Sequence, residues 1–161
     1  MEYLKANIND IEECQKLKNE IVNELNESGL HIWNDEYPSD NLIKEDILNI
    51  NARIIKENNK IIAYASIDSV INEFQENVFK EENLYSFARL MVKKEYRGKH
   101  VASYLINNLL NEMKDIGATG CGILVHPINE IALKVYYKLG FKLEEIKVYP
   151  FGEFYNLVYI F

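Results

Sequence analysis

Apolar residues return every three to four positions between residues 9 and 28, where Ile11, Cys14, Leu17, Ile21, Val22 and Leu25 define one stripe. That spacing predicts an amphipathic helix. Asn9 or Asp10 can cap its start, Glu12 and Glu13 suit the positive end of its dipole, and Gly29 ends it. A second, shorter helix is expected from Ser39, after Pro38, to about Ile50, with Ile43 and Ile47 turned inward. The period then shortens. Arg53–Lys56 and Lys60–Ile67 flank Glu57-Asn58-Asn59, the pattern of an antiparallel hairpin. Residues 69–83 are polar and of no clear period, so a loop with one helical turn is expected there. Leu84–Val92 reads as a strand. Helical spacing resumes over 99–116 through Val101, Leu105, Ile106, Leu109, Leu110, Met113 and Ile116, and Gly117 closes it. Gly122–Val125 reads as a buried strand and Asn129–Leu139 as a helix capped by Gly140. Strands over 141–149 and 154–160 flank a turn near Pro150 and Gly152. The order α-α-β-β-β-α-β-α-β-β predicts an α/β (α+β) fold, with a mixed, mostly antiparallel sheet covered by helices on both faces.

Length and composition narrow the class. A chain of 161 residues fits one domain, 1–161, and a domain of that size buries enough surface to need no staple. Apolar residues make up 48% and charged residues 27%, as in folded globular chains. No stretch approaches the ~20 apolar residues of a membrane span, and the first residues lack the apolar core of a signal peptide. A cytoplasmic location with no membrane partner is therefore expected. The formal net charge of −7, without a basic run, disfavours nucleic acid as a partner, because phosphate neutralisation supplies most of such affinity. Cys14 and Cys121 share no close spacing, and with three histidines no metal site is expected. Both cysteines lie in apolar patterns and read as buried, reduced thiols.

Only 3 of the 18 cations are arginine, which draws the eye to Leu90-Met91-Val92-Lys93-Lys94-Glu95-Tyr96-Arg97-Gly98-Lys99-His100-Val101-Ala102-Ser103. An apolar strand ends there in a charged turn that feeds an amphipathic helix. The first amides of a helix lack intrahelical acceptors and sit at the positive end of its dipole, so such an end takes phosphate well. Arg97 and Lys99 add full charges, while Gly98 and Ala102 let the backbone come close. A Walker A loop would need glycine at 93 and Ser or Thr at 100, where Lys93 and His100 stand, and no GxGxxG fingerprint occurs. Nucleotide hydrolysis and hydride transfer lose their support.

Arg97-Gly98-Lys99-His100-Val101-Ala102 resembles the Arg/Gln-x-x-Gly-x-Gly/Ala loop of the GNAT superfamily of N-acetyltransferases. Asn129-Glu130-Ile131-Ala132-Leu133-Lys134-Val135-Tyr136-Tyr137-Lys138-Leu139-Gly140-Phe141 resembles that superfamily's Asn-x-x-Ala-x-x-Leu-Tyr-x-x-x-Gly-Phe segment. The motifs come in the right order, and the element order resembles the family fold over essentially the whole chain. His100 departs from the pattern by standing at the loop's first glycine. A non-glycine residue is compatible there if its backbone stays in the helical region. His31-Ile32-Trp33-Asn34-Asp35-Glu36-Tyr37-Pro38-Ser39 is similar to a Gln-x-x-x-x-Tyr-Pro segment, with its tryptophan, of a bacterial subgroup of the family. Trp33 and Tyr37 are then either acceptor contacts or packing between the first two helices and the sheet.

The resemblance implies acetyl-CoA as acyl donor, no metal, and direct attack by an amine of a small molecule or peptide, the chain acting as monomer or homodimer. It implies that Leu90, Met91 and Val92 pair with the pantetheine arm, with the Val92 N–H aimed at the thioester oxygen. Amides from Gly98 to Ser103, including Val101, would hold the pyrophosphate, and Asn129 the pantetheine. Tyr136, rather than its neighbour Tyr137, aligns with the tyrosine near the sulfur, and a core tyrosine is the other reading. For the general base, His126 has a suitable ordinary pKa of ~6.5, although the His126-Pro127-Ile128-Asn129 run also suits a turn. Asp68 and Glu73 follow the third strand and are further candidates, while Glu95 reads as part of a solvated turn. Arg89 points either to the acceptor or to a structural partner. A transferase using a different acyl-CoA would keep every one of these residues, whereas a catalytically weak acyl-CoA-binding or sensing module would keep the pyrophosphate loop and lose the acceptor chemistry.

Overall fold

The computed structural model of the chain describes residues 1–68 and 79–161. They form two compact units, Met1–Ile67 with Arg89–Ile106, and Asp68–Ala88 with Asn107–Phe161. Glu73 and most of the segment read as a loop lie outside the described residues.

The first unit opens with a strand, β1 (Glu2–Lys5), that the sequence reading did not anticipate. Four residues are too few to show a period of two, and β1 is recognisable only through its partner. It pairs antiparallel with β2 (Ala52–Glu57), setting Tyr3 against Ile55 and Leu4 against Ile54. A 3-10 turn over Ile8–Asp10 precedes α1 (Ile11–Glu27), so the first helix begins with its apolar stripe at Ile11, two residues inside the expected span of 9–28. Asn7 and Asp10 cap that turn reciprocally: the Asn9 N–H donates to the Asn7 side chain and the Asn7 N–H to Asp10. The helix α2 (Asp40–Leu48) starts at Ser39, whose Oγ accepts from the Leu42 N–H at 3.0 Å, as its sequence suggests. Strands β2 and β3 (Lys60–Asp68) form the expected hairpin, with Asn58 and Asn59 both at positive φ, the geometry of a tight two-residue turn. The strand order is β1-β2-β3-β4, where β4 (Leu84–Val92) enters this unit at Arg89. Cys14, Ile21, Ile43, Ile54, Tyr64 and Met91 form its buried core. Burial, followed by the charges of Asp10 and Glu13, pushes the Cys14 thiol up to about 12. The thiol therefore stays protonated and inert, as its apolar setting predicts.

In the second unit the start of β4 runs parallel to β5 (Gly120–Val125), pairing Leu84 with Gly120 and Tyr85 with Cys121. Beyond β5 the order is β7 (Gly152–Ile160), then β6 (Lys142–Tyr149), each pair antiparallel. The sheet is thus mixed and mostly antiparallel, as predicted. β5 starts two residues earlier than its apolar run. Gly120 belongs to it because a Cβ there would lie 2.3 Å from the Tyr159 carbonyl, a closeness that only glycine permits. The helix α3 (Val101–Asp115) supplies its latter half to this unit, and α4 (Glu130–Leu139) ends at Gly140 in the left-handed conformation. Among the described residues, no helix is long and apolar enough to cross a membrane.

Candidate functional site

The charged turn is built from three devices. A 3-10 turn over Lys94–Tyr96 lifts the chain off the end of β4. Gly98 then takes φ 70°, and His100 takes φ 63°. Gly98 occupies the left-handed region freely, having no Cβ. For His100 the structure corrects the expectation of a helical backbone: the position is left-handed, which explains why a glycine fits the pattern there. Histidine is among the non-glycine residues that enter this region more often than most, at a cost of about 1–2 kcal/mol for an L-residue. These two residues also explain why α3 starts at Val101 and not at Lys99.

The His100 carbonyl accepts the Tyr104 N–H at 3.0 Å, making His100 the residue that opens α3. Helix geometry leaves the amides of Val101, Ala102 and Ser103 without intrahelical acceptors. Val101 is buried, Ala102 and Ser103 are half-buried, and Gly98, Lys99 and His100 are exposed. The Lys99 ammonium lies 5.5 Å from the centre of the Tyr96 ring. The turn thus presents first-turn amides, the positive helix end and Lys99 together, a fit for an anion such as a diphosphate. Arg97 is engaged elsewhere. Its Nε donates to the Val92 carbonyl at 3.2 Å, its Nη2 to Glu24 Oε2 at 3.0 Å, and its Nη1 to Glu24 Oε1. Replacing His100 with valine, whose branched Cβ resists this backbone, is expected to lower stability by about 1–2 kcal/mol in a urea titration. His100→Gly is expected to be neutral or slightly stabilising, and equal effects of the two would refute the strained backbone.

Arg89 departs from strand geometry, with φ 55° within β4. Its side chain is held from both ends. Nε and Nη2 donate to the two oxygens of Asp46 at 2.9 and 2.7 Å, and Nη1 donates to the Tyr37 hydroxyl at 3.3 Å. The Tyr64 hydroxyl, fully buried, donates to the same Asp46 at 2.6 Å. Burial works against the charged guanidinium, but the Asp46 bond and charge outweigh it and hold Arg89 firmly protonated. The phenol of Tyr64 is pushed up by burial first, and then by Asp46. Arg89 thus has structural partners in Asp46 and Tyr37. Tyr37 is 45% exposed, and its turn is fixed by Asn34, whose side chain accepts from the Glu36 and Tyr37 amides. Trp33 packs, partly buried, on the core of this unit. Asp46 was missed in the sequence. Its signal was a carboxylate at helical spacing with Ile43 and Ile47, on the face that is buried.

In the second unit, Asn129 caps α4, its Oδ1 accepting from the Ala132 N–H at 3.3 Å, a bond that does not use its Nδ2 donors. The Asn129 N–H donates to the His126 carbonyl at 3.0 Å, and the His126 Nδ1 accepts from the Ile128 N–H at 3.3 Å. That bond uses the Nδ1 lone pair as an acceptor within the turn. Phe154 meets the His126 ring edge-on at 5.5 Å. Tyr136 is 7% exposed, with Phe87 and Phe141 ring centres at 6.0 and 5.8 Å. Burial, then Cys121, pushes its phenol up. Tyr137, by contrast, is exposed. Asp68 ends β3 and is exposed, as is Glu95 in its turn. Among the described residues, no three His, Cys, Asp or Glu side chains gather as metal ligands would.

The chain belongs to the acetyltransferase (GNAT) family, whose family model matches residues 18–141. A spermidine N(1)-acetyltransferase of Thermoplasma acidophilum is 35% identical over 63 residues, a match spanning 39% of this chain and 39% of that protein. A GNAT-family acetyltransferase structure from Streptococcus agalactiae superposes with a TM-score of 0.87 at 21% identity, covering 99% of this chain and 95% of that one. The PaiA N-acetyltransferase of T. acidophilum, solved in complex with coenzyme A, gives 0.77 at 20% identity, over 99% and 98% of the two chains. At these identities the likeness to the solved structures is one of fold.

Proposed function

We infer that the protein transfers an acetyl group from acetyl-CoA directly to the amine of a small molecule or peptide. The observation that carries this reading is the turn after β4, where Gly98 and His100 are left-handed and His100 opens α3, whose first amides lack intrahelical acceptors. Those amides, with Lys99, would hold the diphosphate. Leu90, Met91 and Val92 would pair with the pantetheine arm, and the Val92 N–H would donate to the thioester oxygen. Asn129 would offer Nδ2 to the same arm. Buried, protonated Tyr136 would donate a hydrogen bond to the departing sulfur. A thiol kept protonated by burial, as at Cys14, is no nucleophile, which supports direct attack over an acyl-enzyme. The relative's name makes polyamines the first acceptors to try.

The test is thermal unfolding with and without acetyl-CoA, followed by thiol release on adding spermidine, other small amines or a peptide with a free N-terminus. Ligand at a hundredfold excess over its Kd stabilises by about 2.7 kcal/mol, a rise of roughly 5–11 °C for a chain of this size. Thiol release that depends on the amine completes the case. An unmoved midpoint at millimolar acetyl-CoA would overturn it.

A further inference from the structure

We propose that Glu24 positions the anion loop, acting through Arg97, and that Arg97 serves as a strut for that loop and not as a ligand of the phosphates. This rests on the reading that the loop takes the donor's diphosphate. All three guanidinium nitrogens of Arg97 are engaged: two by the Glu24 carboxylate and one by the carbonyl of Val92, the last residue of β4. Bidentate pairing fixes orientation as well as position. The bonds join α1, the strand end and the residue just before Gly98, so they set where the left-handed turn begins.

The surroundings point the same way. Glu24, which holds Arg97, also lines a cavity of about 350 Å³ together with Glu20, Glu27, Glu95 and Lys94. A phosphate entering it would meet four carboxylates against the one ammonium of Lys94. The acidic face of α1 therefore suits a cationic side chain of the protein itself and repels the ligand, leaving the diphosphate to the amides and Lys99.

Calorimetric titration of CoA into the native chain and into Glu24→Gln, Arg97→Gln and the double variant separates strut from ligand. Glu24→Gln removes a negative charge beside an anion site, so electrostatics alone would tighten binding. The strut requires the opposite sign: each single variant weakens CoA by roughly fivefold to tenfold, and the double variant is no weaker than either, the mark of one shared interaction. Glu20→Gln, one turn earlier on α1, removes the same charge without touching the strut and is expected not to weaken binding. Unfolding midpoints should stay within about 3 °C throughout, because a half-exposed pair contributes at most about 1 kcal/mol. Tighter or unchanged binding in Glu24→Gln, or losses that multiply in the double variant, would overturn the inference alone. CoA that fails to bind the native chain would sink the donor reading, and this inference with it.

Discussion

Replacing Asp46 with alanine is expected to remove about 3–5 kcal/mol of stability, a large fraction of the roughly 5–15 kcal/mol that a folded domain typically has. The size of the effect comes from what the carboxylate leaves behind. Asp46 is 5% exposed and accepts three bonds, two from Arg89 and one from Tyr64. Without it, a guanidinium whose side chain is 14% exposed loses its counter-charge, and a fully buried hydroxyl loses its acceptor. Arg89 also holds a left-handed backbone within β4, which persists only while its surroundings over-determine it. Thermal melts should show a drop of roughly 6–20 °C. A triple replacement, Asp46→Leu with Arg89→Leu and Tyr64→Phe, tests the physical account. Removing every buried polar partner together should recover much of the loss, since the pair's attraction largely offsets its own desolvation. A drop below about 1 kcal/mol for Asp46→Ala would show that the network is solvated and carries little.

This network also shows where sequence reading stops. Elements long enough to show a period or a clear cap were legible: α1 and α3 follow their apolar stripes, α4 ends at its Gly140 cap, and the β2–β3 hairpin follows its paired asparagines. Strand β1, with four residues, had no period to show. The bonds of Asp46 with Tyr64 and Arg89 join residues 18 and 43 positions apart, and that of Glu24 with Arg97 spans 73. No local propensity encodes such pairings; they appear only once the chain has folded. The anion loop was legible because its chemistry is contiguous: glycine, basic residues and a helix start within a few positions. The conformation of His100 was not, because its side chain conceals a backbone requirement that a glycine would have announced.

Under the proposed reaction, Tyr136→Phe is expected to lower kcat by about a hundredfold or more while leaving the KM for acetyl-CoA within a factor of roughly three. The substitution removes one hydroxyl and keeps a ring that packs between Phe87 and Phe141, so the fold should be little disturbed. Burial raises the phenol above its ordinary value, and nearby Cys121 raises it further. The neutral, donating form therefore dominates at every pH below the ordinary tyrosine value of ~10, and only a rise well past that value would ionise it. Two consequences separate a donor to the sulfur from a mere packing residue. The native enzyme should show no alkaline fall in kcat assignable to this group up to about pH 10. The loss in Tyr136→Phe should be smaller with a donor whose leaving thiol is more acidic, since a better leaving group needs less help. The measurement is thiol release from acetyl-CoA and from a more activated thioester, using whichever amine the acceptor screen yields. A kcat within threefold of native on both donors, at an unchanged unfolding midpoint, would reduce Tyr136 to a core aromatic and move the search for the proton donor elsewhere.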